Sequence, residues 1–106
     1  MVARGDIWIV RLDPTEGHEL QKTRPALVVS PSEINDNLGI ALVVPLTTGS
    51  RLARFRMPVH FDGQDGLILL EQIRVLDRRR FERRLGTIDR KALSNVLSTL
   101  QALFAE

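Results

Sequence analysis

The sequence predicts a mainly β (α+β) fold: a small, strongly bent sheet or partly open barrel with one C-terminal amphipathic helix. Three observations predict it. Five or six short stretches rich in β-formers follow one another, separated by clusters of Pro, Gly, Asp and Thr. Only the last stretch has helical periodicity. With 106 residues, the chain has room for one small domain and a single layered core.

Each element can be justified in turn. Residues 6–12 (DIWIVRL) are a strand, ended by Asp13-Pro14-Thr15. A polar loop containing Gly17, His18, Glu19 and Lys22 follows, long enough to be functional in kind. Arg24-Pro25 opens a second strand, PALVVS, and the proline holds Arg24 extended at its entrance. Ser30-Pro31-Ser32-Glu33 reads as the cap and first turn of a short helix closed by Gly39. Residues 40–46 (IALVVPL) are a buried strand whose Pro45 marks an edge or bulge. A turn at Thr47-Thr48-Gly49-Ser50 leads to a strand over 54–61 with Arg54, Arg56 and His60 on one face. Residues 62–66 (DGQDG) are a dense turn, and 67–76 (LILLEQIRVL) one long strand. A charged turn or short helix covers 77–84, and 84–88 is a last short strand. Asp89 then caps a helix whose Leu93, Val96, Leu97, Leu100, Leu103 and Phe104 form an apolar stripe.

Composition excludes several classes. Hydrophobic residues are 43% and charged residues 26%, the profile of an ordinary globule. No apolar run approaches the ~20 residues of a membrane helix. Asp6 interrupts the N-terminus too early for a secretory leader, so a cytoplasmic address and no membrane partner are expected. The chain has no cysteine, which removes disulfide scaffolds, zinc ribbons and thiol nucleophiles. Two isolated histidines and no close carboxylate pair make a poor metal site, and no cofactor is expected. Net charge is +2, divided as −2 over residues 1–50 and +4 over residues 51–106. Thirteen of the fifteen bases are arginine, whose planar fork suits phosphate and carboxylate.

Three polar groups interrupt the apolar strands. Gly17-His18-Glu19 with Arg24 offers an imidazole, a carboxylate and a guanidinium, and Gly17 permits close approach of a ligand. Thr47 and Thr48 place hydroxyls at a strand end, where they serve either a turn or an anion. Glu71, in a regular strand, shares a face with Leu69, Ile73 and Val75. It is then either a desolvated general base or half of a buried ion pair with an arginine. Gln72 and Arg74 point to the other face. Trp8 and Phe55 can each stack a base, and of the two readings of Trp8 the core is the better fit. Cleaving RNA needs no metal, because the 2′-hydroxyl is a built-in nucleophile. A base, an acid and cations suffice, and Glu, His, Arg and Thr supply them.

RGDIWIVRLDP, GHE, RPALVVS, VVPLTTG and EQIRVLD, in this order and spacing, resemble the MazF/PemK-type toxin endoribonucleases of type II toxin–antitoxin systems. The resemblance runs from Arg4 to the terminal helix. It implies an SH3-like barrel, a homodimer and metal-free cleavage of single-stranded mRNA to 2′,3′-cyclic phosphate and 5′-hydroxyl ends. It also implies a cognate antitoxin whose acidic, disordered segment fills the RNA groove.

By position, Arg24 is similar to the family's phosphate-contacting arginine and Thr47 to its motif threonine. Glu19 and His18 match its loop carboxylate and histidine, and Glu71 stands where one branch has a base. Gly17, Thr48, Arg54, Phe55, Arg56, Gln72 and Arg74 would line the RNA. That branch also has an arginine two residues before the acid, where this chain has Leu69, so its general acid does not carry over. His18 is the better candidate for acid, and the base is Glu19 or Glu71. Two other readings compete. A gyrase-poisoning toxin of related fold would need a Trp-containing C-terminus, and this sequence ends ALFAE. A non-catalytic SH3-like module would bind RNA or an acidic peptide and form no product.

Overall fold

A computed structural model describes residues 1–12 and 23–106. The chain forms β1 (Asp6–Arg11), β2 (Thr23–Val28), α1 (Ser32–Asn35), β3 (Ile40–Thr47), β4 (Arg56–Phe61), β5 (Gln64–Leu69), β6 (Arg74–Asp77), β7 (Phe81–Thr87) and α2 (Arg90–Phe104). The strands make one antiparallel, unclosed sheet in the order β4-β5-β3-β2-β1-β7, with β6 also paired to β3. A bent, partly open β-sheet with a C-terminal helix is the predicted class.

β3 carries the bend. One edge pairs with β2 through Val43–Pro45. The other edge pairs with β6 through Ile40–Val43 and then with β5 through Leu46 and Thr47. Val44 and Pro45 fall between these two partners. A residue without an N–H costs nothing there, so the edge position read from Pro45 is a change of partner strand.

Alternate residues of β1, β2 and β3 feed two cores. Ile7, Leu27, Val44 and Leu46 pack with Ile68, Leu70, Val96 and Leu100 on the α2 side. Val10, Ala26, Val28, Ala41 and Val43 pack with Val2, Leu12 and Leu76 on the other. Burial on both faces is why these strands read as unbroken apolar runs. Trp8 packs against the second core and meets Phe81 edge-on at 5.8 Å.

The helix follows its pattern. The Asp89 carboxylate accepts from the Ala92 N–H at 2.7 Å. Val96 and Leu100 are buried, each contributing roughly 1.5–3 kcal/mol. Phe104 departs from the stripe and is exposed.

Four local expectations are corrected. The turn after β4 is only Asp62 and Gly63, both at positive φ (56° and 77°), and pairing resumes at Gln64. This is the two-residue hairpin whose twist matches its strands. Residues 67–76 are not one strand: a single 3-10 turn, Leu70–Gln72, separates β5 from β6. Residues 77–84 hold a 3-10 turn at Arg78–Arg80 and then β7, which starts at Phe81 and not at Arg84. In the first of these, the Arg79 side chain and backbone N–H both hold the Asp77 carboxyl below its ordinary range. Finally, Ser30 does not cap α1, because Pro31 occupies the N-cap position.

The Ser30 hydroxyl instead donates to Asn35 Oδ1 at 2.5 Å and accepts the Leu42 N–H at 2.9 Å. Asn35 Nδ2 returns a bond to the Ser30 carbonyl at 2.8 Å. Both residues are buried, so neither finds water as a substitute. Asn35→Ala should cost about 1–3 kcal/mol, because it strands a buried carbonyl and hydroxyl. Thermal unfolding checks this, with a Tm lower by several degrees.

Candidate functional site

Arg24, the second residue of β2, is half-buried. Pro25 behind it removes the backbone N–H and fixes the extended conformation. Its Nε is buried and finds no hydrogen-bond partner among the described residues. A buried, unpaired guanidinium nitrogen is unfavourable unless something else satisfies it.

Thr47 ends β3 and is 8% exposed. Its Oγ1 accepts the Gly49 N–H at 3.3 Å, which leaves the hydroxyl proton free to donate. Register sets where it lies. Pro45 pairs with Ala26, two residues before which stands Arg24, so the end of β3 runs past the entrance of β2.

The two residues line one cavity of about 200 Å³. Pro25, Leu46 and Thr48 flank them, and the β4–β5 hairpin supplies Val59, Phe61, Asp62, Gln64 and Gly66. Leu85 of β7 completes the lining. One side is cationic and hydroxyl-bearing, and the other is apolar with a polar rim.

The remaining sequence candidates are placed differently. Gly17, His18 and Glu19 lie outside the described residues. Glu71 sits in the 3-10 turn and not in a strand, so it does not share a face with Leu69, Ile73 and Val75. Its Oε2 takes Arg56 Nε at 2.8 Å and a terminal guanidinium nitrogen at 2.7 Å. Of the two readings of Glu71, the ion pair with an arginine is what the structure holds, and it is solvent-accessible rather than buried. Glu71 does not line the cavity.

Arg56 also donates to the Arg51 carbonyl at 3.1 Å and tethers the segment before β4. Arg54 is exposed, with its guanidinium 4.8 Å over the half-buried Phe55 ring. Gln72 closes the 3-10 turn, and Arg74 opens β6 opposite Val43. These residues are not part of the cavity lined by Arg24 and Thr47.

Sequence reading missed Phe61, Gln64, Gly66 and Leu85 as lining residues. Gly66, read from the sequence as a turn residue, lies inside β5, where glycine often marks close backbone approach. A Cβ there would stand 2.7 Å from the Thr47 carbonyl oxygen. Gln64 had no cue, because its role depends on how the hairpin folds over the sheet.

The fold and this cavity define a small SH3-like β-domain with a cleft that brings a guanidinium and a hydroxyl together. The chain belongs to the PemK-like, MazF-like toxins of type II toxin–antitoxin systems, whose family pattern matches residues 3–104. It is 40% identical over 107 residues to endoribonuclease toxin ChpB of Escherichia coli, covering 94% of this chain and 91% of that protein. It is 38% identical over 106 residues to endoribonuclease PemK of Escherichia coli, covering 94% and 80%. Among solved structures, MazF from Deinococcus radiodurans superposes with a TM-score of 0.85 at 29% identity, over 96% of this chain and 94% of that one. The same MazF in a MazE–MazF complex gives 0.79 at 30% identity, over 96% and 94%.

Gly66→Ala should push the end of β3 away from β5 and displace Thr47. We expect a loss above about 1 kcal/mol, because backbone and not a flexible side chain must move. Urea unfolding measures it, with a midpoint lower than that of the parent protein.

Proposed function

We propose that this protein is the endoribonuclease toxin of a type II toxin–antitoxin pair. It cuts single-stranded mRNA without metal by internal attack of a 2′-hydroxyl on the adjacent phosphate. The 2′-oxygen bonds to phosphorus, the P–O5′ bond breaks, and the products carry a 2′,3′-cyclic phosphate and a 5′-hydroxyl. Translation and growth stop as messages are consumed. The observation that carries this reading is the convergence of Arg24 and Thr47 on one cavity from two separate strand ends.

In this reading the Arg24 guanidinium, whose Nε has no partner among the described residues, grips a non-bridging phosphate oxygen. The Thr47 hydroxyl donates to the same group as negative charge grows on the pentacoordinate phosphorus. One proton must leave the 2′-oxygen and one must reach the 5′-oxygen. Glu71 is engaged by Arg56 and lies off the cavity, which favours Glu19 as base and His18 as acid. A guanidinium is a poor acid at a pKa above ~12, so Arg24 stabilises charge and does not deliver the proton.

A cognate antitoxin is the expected protein partner, supported by the MazE–MazF complex of the Deinococcus relative. Its acidic segment would compete with RNA for the same cation. We also take the working form to be a homodimer in the cytoplasm.

Two assays test this reading. Purified protein in EDTA should cut single-stranded RNA and leave 5′-hydroxyl ends, and RNA left intact across varied sequences would sink the proposal. Arg24→Ala should lower kcat/KM by about 10²–10³-fold, the loss typical of one transition-state donor. Circular dichroism of that variant should stay native, since the removed side chain lies at the cavity and outside both cores.

A further inference from the structure

The cavity is only half explained by a phosphate. Arg24 and Thr47 provide cation and hydroxyl on one side. The lining also includes Leu46, Phe61 and Leu85, surfaces that an anion gains nothing from touching. A half-open cleft of about 200 Å³ is slightly larger than the ~150 Å³ cavity that takes a benzene ring. It fits one flat heteroaromatic ring system and not a whole nucleotide.

Asp62 and Gln64 stand at the rim, at the tip of the β4–β5 hairpin. Both are exposed, and neither side chain makes a hydrogen bond or ion pair among the described residues. The turn they flank needs positive φ at two residues, which Asn-Gly satisfies as well as Asp-Gly. The hairpin therefore does not require this carboxylate or this amide. What they offer is hydrogen-bonding capacity in the lining of the cavity. Asp62 accepts only, and Gln64 both donates and accepts.

We propose that the cavity holds the nucleobase next to the scissile phosphate, and that Asp62 and Gln64 read its edge. This rests on the endoribonuclease reading and deepens it: the hairpin tip becomes a specificity determinant. An acceptor-only carboxylate favours a base with an exocyclic amine, namely adenine, cytosine or guanine, over uracil, whose single N3–H is flanked by two carbonyl oxygens that repel it. Unstacked bases of single-stranded RNA present these edges freely.

The test uses the full chain and a pool of single-stranded RNAs randomised around the cut, with sequencing of the 5′-hydroxyl ends. Wild type should favour amine-bearing bases at one position beside the cut. Asp62→Asn replaces one acceptor oxygen by a donor and keeps a favourable turn. It should reduce that preference about tenfold and admit uracil. Gln64→Leu should flatten the preference at the same position. Native circular dichroism verifies that both variants are folded.

Cleavage by both variants with an unaltered sequence profile would overturn the assignment. So would an equal loss at every sequence, because that marks the tip as structural or catalytic. If wild type cuts no RNA at all, the nuclease reading falls and takes this one with it. If wild type cuts and the profiles coincide, only the base-reading role falls.

Discussion

The double pairing of β3 is the constraint on which the rest depends. A strand bonded to one neighbour along its whole edge would leave this sheet open and gently twisted. Here the edge is shared, with β6 holding Ile40–Val43 and β5 holding Leu46 and Thr47. The changeover at Val44 and Pro45 lets the β4–β5 hairpin swing away from β6 and over the entrance of β2. Without that swing, Phe61 and Gln64 would not face Arg24, and no cavity would form between them. The close approach at Gly66 has the same origin, since β5 meets β3 only at Leu46 and Thr47, the last two residues of β3.

The charged residues show a related division. The Arg56–Glu71 pair ties the start of β4 to the 3-10 turn after β5, one pair of residues beyond the register partners Arg56 and Leu69. Exposed ion pairs contribute at most about 1 kcal/mol to stability. Its effect is positional: it orients Arg56 toward the Arg51 carbonyl and shapes the segment that precedes β4. Arg24 is the opposite case. It lies half-buried with a nitrogen that has no hydrogen-bond partner among the described residues, an arrangement suited to an incoming anion.

Much of this was legible from the sequence for identifiable reasons. Two-sided burial left β2 and β3 as plain apolar runs, and the i, i+3, i+4 spacing with Asp89 marked α2 almost to the residue. Arg24 and Thr47 were legible as polar residues at the edges of such runs. The break between β5 and β6 was not. Leu67 to Leu76 is apolar enough for a continuous strand, and no Gly or Pro marks the 3-10 turn at Leu70–Gln72. Leu70 points into the core from that turn, so its hydrophobicity disguised it as a strand residue. Glu71 was misplaced for this reason alone. Gln64 and Leu85 were invisible because their proximity to Arg24 is a product of tertiary bending, which one-dimensional patterns do not encode.

A site of this kind demands little of its scaffold. In the proposed reaction RNA brings its own nucleophile, so the protein would need no activated serine and no deep channel, only charge placed where the phosphorane forms. That economy has a structural consequence. Few groups are tied up in chemistry, and the neighbouring surface is free to discriminate among sequences. A hairpin tip suits that task. Its two turn residues tolerate change at the flanking side chains as long as positive φ is retained, whereas Arg24 and Thr47 are fixed by Pro25 and by the end of β3. On the proposed reading, chemistry thus sits on rigid strand ends, and recognition sits on an element whose side chains the fold does not need.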